Sequence, residues 1–187
     1  MSNSTRDQFN DLLRSEGLNA GIIPVNNIPN EESRLNEVNR LGILNRDLDQ
    51  EAKYNALTQL AAIITKSQIG LINILGSNIQ QCKTNFGFNV LESTLTEEMP
   101  REISICQYSL ASPQEPLIIN DLFLDERTKH FKKLEAYENL RFYAGSPLIS
   151  SRGFSIGTLC VIDDKPNKLN MNKLKDLGYL QTKLSIC

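Results

Sequence analysis

Apolar and polar positions change their period several times along this chain, and each change marks an element. Residues 1–30 hold Gly17, Gly21, Pro24 and Pro29 in an Asn-rich text, after which NEESRLNEVNRLGIL begins at Asn30 and spaces Leu35, Val38 and Leu41 at threes. An Asn cap followed by Glu31 and Glu32 in the first turn predicts a helix start. The preceding composition reads as a flexible N-terminal arm, residues 1–30. Further on, Leu57, Leu60, Ala61 and Ile64 fall on one helical face, which a sheet or another helix must cover.

The period then shortens. The apolar run QIGLINIL at 68–75, the turn Gly76-Ser77-Asn78 and the alternating stretch from Ile79 to Lys83 predict a hairpin. Residues 84–100 read as loop, with Gly87 and Pro100 as breakers. ISICQYSL at 103–110 reads as a short helix rather than a strand, and PLIIN at 116–120 as a strand entering the acidic turn DLFLDERTKHF. A helix is expected from about Thr128 to Tyr137.

A second hairpin is predicted in RFYAGSPLISSRGFSIGTLCVID, residues 141–163, turning at Gly153. Alternation puts Leu140, Phe142, Ala144 and Leu148 on one face of its first strand and Tyr143, Pro147 and Ile149 on the other. In the return strand Phe154, Ile156, Cys160 and Ile162 oppose Gly157, Leu159 and Val161. Both faces are apolar, so the sheet has to be covered on both sides. A last helix carries Leu177, Leu180, Leu184 and Cys187 at the three-four spacing of a coiled-coil seam.

Composition narrows the possibilities. A chain of 187 residues, 40% of them hydrophobic, supports one core with appendages. Basic and acidic residues are interspersed and nearly balanced, with a formal net charge of -2, which gives no field to gather nucleic acid or an anionic membrane. No apolar stretch approaches the roughly 20 residues of a membrane span, and the polar beginning has no signal-like apolar region, so a cytoplasmic setting is expected. Cys82, Cys106, Cys160 and Cys187 are dispersed without a CxxC pair and read as reduced, mostly buried thiols. His130, within TKHFKK, reads as an exposed surface residue.

The order helix, hairpin, short helices, strand, hairpin, helix implies an α+β domain on an antiparallel sheet. At this level the sequence resembles a GAF domain of the type found in bacterial sensor histidine kinases and diguanylate cyclases. The resemblance rests on RLNEVNRLGIL at 34–44, LTQLAAIIT at 57–65, SICQYSL at 104–110, PLIINDLFLDERTKHF at 116–131, LRFYAGSPLIS at 140–150 and GFSIGTLCVIDDKPNKL at 153–169. It implies that residues 31–187 form the domain: a sheet of about six antiparallel strands, terminal helices on one face, short helices and loops over a small-molecule pocket on the other. It further implies a parallel homodimer through the first and last helices, which would bring two Cys187 thiols together. A kinase or cyclase output domain would act in cis or in trans.

For the pocket, the resemblance points to Cys106, Tyr108, Asp121, Asp125, Arg127, Phe142 and Tyr143, with the ligand and any cofactor unidentified. Cys106 is either packing or a thiol that senses or reacts, and Cys160, in a central strand, is packing. The cluster Asp121, Asp125, Glu126 and Arg127 is either a recognition site or a turn and cap cluster, and the two roles are compatible. No Cys-His dipeptide is present for a bilin, and Asp125-Glu126 follows Phe123 too closely to complete the cyclic-nucleotide signature. The expected activity is non-catalytic signalling. A thiol-based reductase of free methionine sulfoxide using Cys82 and Cys106, and a purely structural dimerisation domain, are the rivals.

Overall fold

The computed structural model describes Asp11 and residues 28–45, 52–87, 98–133 and 137–184. In chain order these form α1 (Glu31–Leu41), α2 (Ala52–Thr65), β1 (Ile69–Leu75), β2 (Ile79–Phe86), β3 (Glu98–Pro100), α3 (Gln107–Ala111), β4 (Leu117–Ile119), β5 (Phe142–Ile149), β6 (Ser155–Asp163) and α4 (Met171–Thr182). Single 3-10 turns lie at Ile43–Asn45, Arg101–Ile103 and Lys129–Lys133. The six strands make one antiparallel sheet in the order β3-β2-β1-β6-β5-β4. The two predicted hairpins therefore meet at its centre, where β1 pairs with β6 and Leu71 faces Cys160.

Each central strand is buried on both faces and divides its side chains between two cores. On one face Ile72, Ile74, Phe142, Ala144, Leu159 and Val161 pack beneath α1, α2 and α4. On the other, Ile69, Leu71, Tyr143, Cys160 and Ile162 pack beneath Ile103, Leu110, Phe131 and Tyr137 of the overhanging segments. Three residues, Phe154, Ile156 and Leu140, depart from the alternation expected of the second hairpin, and Phe154 packs with Ile156 against the helix-side core. Ile156 joins Leu159 rather than Cys160, because Leu148 pairs with Gly157 and Ile149 with Ser155, leaving Ile156 as the extra residue of a bulge. Leu140 lies ahead of the strand and packs on the overhang side, away from Phe142.

The loop expected over 84–100 is shorter. β2 continues to Phe86 because Asn85 and Phe86 still pair with Leu71 and Gly70, and residues 98–100 add an edge strand, while 88–97 lie outside the described residues. In place of the helix expected from Thr128 there is the 3-10 turn Lys129–Lys133, with 134–136 outside the described residues. Nearly all of the expected arm is likewise outside them, but Ile28 packs against the overhang core. Asn30 opens α1 through a left-handed backbone, φ 53°, and not through a side-chain cap.

The buried face of α2 is also turned from the expected stripe. Tyr54, Thr58, Ala61, Ala62 and Thr65 face inward, whereas Leu60 is 41% and Ile63 60% exposed. The cause is distance: a Cβ on Gly70 of β1 would lie 2.2 Å from the Thr58 carbonyl oxygen. A helix that approaches a strand so closely presents small side chains to it, and the leucine stripe is displaced sideways. For α4 the expected intermolecular seam is an intramolecular one, since Leu177, Leu180 and Leu184 are buried against the sheet of their own chain. Cys187 lies outside the described residues.

One polar network ties α1 to the sheet. Arg34, 2% exposed, donates to the carbonyl oxygens of Leu75 (2.7 Å) and Gly76 (3.3 Å) and pairs with Glu31 at 2.6 Å. Arg101, at the start of the overhang, donates to the same Glu31 (2.6 Å) and to Gly76 O (2.8 Å). Burial works against the Glu31 carboxylate, but the two arginines prevail and hold it below the usual range. Glu37 is bonded by Arg40 at 2.8 and 2.9 Å and approached by Arg152 at 3.7 Å.

Gly70→Ala is expected to destabilise the fold by about 1–3 kcal/mol, because the new methyl group meets backbone that cannot withdraw; urea unfolding measures it, and an unchanged midpoint would place α2 elsewhere. Glu37 gives a pH prediction. Hydrogen bonds from Arg40, opposed by burial and aided by Ser150 and the Arg152 charge, lower its carboxyl from 4.5 to about 2. The unfolded chain binds the proton first, so this stabilisation is complete above 4.5 and is lost as pH falls toward 2. Asp163, raised chiefly by burial and by its bond with Asp164, contributes with the opposite sign in both proteins compared. Glu37→Gln should therefore flatten the acid decline of the urea midpoint relative to wild type, and an identical decline would contradict the pairing.

Candidate functional site

Among the described residues, the overhang face has two recesses with different walls. The inner one, about 20 Å³, is lined by Leu71 and Asn73 of β1, Gln80, Met99, Ser104, Ile105, Cys106, Tyr137, Tyr143 and Ile162. The outer one is a cleft of about 300 Å³ between α3 and β4, lined by Tyr108, Ser109, Ser112, Glu115, Pro116, Leu117, Ile118 and Arg127.

The inner recess is organised around Cys106 at the start of α3. Asn73, 2% exposed, donates from one amide nitrogen to Cys106 Sγ (3.4 Å) and to Cys160 Sγ (3.5 Å). The Tyr143 hydroxyl donates to Cys106 Sγ at 3.3 Å. Thr158, the strand partner of Asn73, has its hydroxyl beside both sulfurs but no aligned hydrogen bond. Asn73 Oδ1 is buried and accepts no hydrogen bond among the described residues. Behind this group, Tyr137 stacks on Phe131 at 5.0 Å and donates to Ile103 O at 2.6 Å, fixing the overhang. Ser104 bonds Gln80, and its oxygen accepts from the Cys106 N–H at 3.1 Å.

These donors set the order of ionisation. Burial opposes a thiolate at Cys106, but the neighbouring Cys160, Thr158, Tyr143 and Asn73 groups lower its pKa below the ordinary thiol range. Its hydrogen bond to Cys106, burial and the Cys106 charge push Cys160 well up. The pair titrates as a unit, with Cys106 the more acidic member.

Arg127 dominates the cleft. It forms a two-pronged pair with Asp125 at 2.8 and 2.6 Å and reaches Ile118 O at 3.4 Å, while its own carbonyl accepts from the Tyr108 hydroxyl at 3.1 Å. Hydrogen bonds from Arg127, opposed by burial, lower Asp125, and burial raises Tyr108. Asp125 also accepts from the Arg127 N–H, so the acidic turn is at once a turn lock and a cleft wall.

Of the residues singled out in the sequence, Cys106 and Tyr143 line the inner recess, and Tyr108 and Arg127 line the cleft with Asp125 behind Arg127. Asp121 lies outside both: it accepts from Arg141 at 3.0 and 2.6 Å and from the Phe123 N–H, while Arg141 stacks over Phe123. Phe142 belongs to the helix-side core, on the opposite face of the sheet, because its neighbour Tyr143 takes the overhang side. Cys106 is placed with Cys160 through their shared amide, and Cys82 instead donates to Thr84 O at 3.4 Å. Asn73 escaped the sequence reading. Its signal was an amide inside an otherwise apolar run buried on both faces.

The pattern RFYAG follows from this geometry. A Cβ on Gly145 would lie 2.4 Å from the Tyr143 hydroxyl and 2.9 Å from its ring, so the glycine lets the tyrosine lie along the strand and reach Cys106.

With the fold and its recesses in view, the comparisons with known proteins agree. Residues 49–178 match the sequence profile of the GAF domain. The chain belongs to the GAF domain family. A cyclic di-GMP phosphodiesterase of Pseudomonas aeruginosa is 29% identical over 136 residues, 73% of this chain but only 22% of that protein. The GAF domain region of a Geobacter sulfurreducens protein superposes with a TM-score of 0.58 at 18% identity, covering 76% of this chain and 95% of that one. The type II free methionine-R-sulfoxide reductase of Thermoplasma acidophilum gives 0.56 at 14%, covering 70% and 85%. The PixJ GAF domain of Thermosynechococcus elongatus, in its blue-light absorbing form, gives 0.56 at 12%, covering 71% and 80%. At these identities the structures establish the shared fold and nothing finer. Among the described residues no helix is long and apolar enough to cross a membrane.

Gly145→Ala is expected to cost about 1–3 kcal/mol by overpacking. Tyr143→Leu should recover part of that loss in the double variant, so a double-mutant cycle with no coupling between the two positions would contradict the stacking of Tyr143 on Gly145.

Proposed function

We propose that this chain is a non-catalytic sensory module that takes a small polar molecule in the cleft between α3 and β4 and transmits its presence to the helices on the far face of the sheet. The observation that carries this reading is the cleft itself. Its volume of about 300 Å³ reaches the lower end of ligand sites, which run from roughly 300 to 1,000 Å³. It also brings the Arg127 guanidinium, the Tyr108 hydroxyl and two serines to one place. The inner recess, about 20 Å³, has room for no more than roughly one or two heavy atoms.

A route to the helices exists in β6, where residues facing the overhang alternate with Leu159 and Val161 facing the helix layer. A ligand shifts that layer only by its difference in affinity for two arrangements. Output then passes to a second copy and to a kinase, cyclase or phosphodiesterase domain in cis or in trans, in the cytoplasm. The homodimer seam in this reading uses the apolar residues left outward, Leu60 and Ile63 of α2 with Met171 and Tyr179 of the adjacent α4. This differs from the leucine seam of α4, which is already buried.

Two measurements check the reading. In a thermal-shift screen of small polar metabolites, confirmed by native mass spectrometry, at least one should stabilise the wild type. Ser112→Trp, which fills the cleft from an exposed position, should abolish that shift while leaving the unliganded Tm nearly unchanged. A panel without any response, or a response that Ser112→Trp preserves, would remove the cleft from the mechanism. In light scattering, Leu60→Glu with Ile63→Glu should convert a dimer to a monomer; a monomeric wild type at high micromolar concentration would refute the dimer.

A further inference from the structure

We propose that Cys106 and Cys160 form a peroxide-oxidisable thiol pair, in which hydrogen peroxide entering the inner recess oxidises Cys106 and Cys160 resolves it to an intramolecular disulfide. Three observations carry this independently of any ligand in the outer cleft. Both sulfurs are hydrogen-bonded to the same Asn73 nitrogen, so the pair is already gathered from two distant segments, the overhang and the central strand β6. The recess beside Cys106, about 20 Å³, has room for a molecule of roughly one or two heavy atoms, and hydrogen peroxide has two. Asn73, one of the residues lining it, carries in Oδ1 a buried acceptor without a partner among the described residues, and the O–H of such a molecule would satisfy it.

The chemistry balances with hydrogen peroxide as the named oxidant. The Cys106 thiolate attacks one peroxide oxygen, an S–O bond forms, the O–O bond breaks and hydroxide leaves; sulfur is oxidised by two electrons and peroxide reduced by two. The hydroxide takes the proton of the Cys160 thiol and becomes water. The Cys160 thiolate then attacks the sulfenic sulfur, the S–S bond forms, the S–O bond breaks and a second hydroxide departs. Donation from Tyr143 and Asn73 to Cys106 favours the thiolate that begins the sequence. Cys106 opens α3, whose Tyr108 and Ser109 line the outer cleft, so the disulfide would fasten the overhang to β6. Closing the S–S bond draws the two sulfurs to about 2 Å.

The test uses the full chain carrying Cys82→Ser and Cys187→Ser, so that only the two thiols remain. After brief exposure to hydrogen peroxide, intact mass should show the loss of two hydrogens per chain, and peptide mapping should give a Cys106–Cys160 link that a reductant reverses. Adding Cys160→Ala should leave Cys106 as a sulfenic acid trapped by dimedone. Oxidation of Cys106 in the folded chain should be at least about tenfold faster at pH 7 than in the urea-unfolded chain, as a more acidic thiol implies. An unmodified Cys106 in the folded wild-type chain, links formed only between chains, or a folded-state rate at or below the unfolded one would each overturn the proposal. The peptide map of the wild-type chain decides the matter even where the alanine variant fails to fold.

Discussion

The structure depends on one constraint: β1, β5 and β6 are covered on both faces, so nearly every side chain they carry is removed from water. A strand in that position cannot leave a polar group to solvent. Asn73 is the case in point: its amide nitrogen, in the middle of β1, donates to two sulfurs, while its oxygen has no partner among the described residues. Tyr143 meets the same demand by donating to one of them. The polar chemistry of the inner recess is thus a by-product of double coverage, concentrated where the two hairpins join.

Double coverage also explains where glycine is required. At Gly157 a Cβ would meet the Asn73 carbonyl oxygen at 2.1 Å, and at Gly70 it would strike α2. Both mark backbone-to-backbone approaches that no side chain of a neighbour could relieve by turning. Because α2 comes so near opposite Gly70, it packs there through Thr58, Ala61 and Ala62, with Tyr54 buried near its start and Leu60 and Ile63 turned outward. The outward apolar surface of the helix layer follows from the tightness of its inner surface.

The two layers are joined at one end by Glu31, shared between Arg34 of α1 and Arg101 at the foot of the overhang. The net stabilisation from such a pair is small, because desolvation offsets attraction, but loss of one partner leaves buried charge uncompensated and costs several kcal/mol. A buried arginine that also satisfies the carbonyls of the β1–β2 turn is therefore a fixed point. The overhang, the turn and α1 keep their relative positions through it.

By itself the sequence determined the elements that have a period or a breaker: both hairpins, the two-sided burial of the second, α2 and α4, and the turn at Gly153. Those features are local, set by alternation and by backbone preference, and the order of motifs was enough to indicate the GAF domain. It also pointed to Cys106, Tyr143, Tyr108 and Arg127, four residues that line the two recesses. Only the tertiary structure decided which face each side chain takes where alternation breaks, as at Ile156, whose side chain was moved by a bulge on pairing with β5. It alone placed Phe142 on the helix side, turned α2 onto its small residues, buried the α4 seam within one chain, and joined Cys106 to Cys160 through Asn73. These outcomes depend on contacts between segments far apart in the chain, whose distance and register no local pattern records.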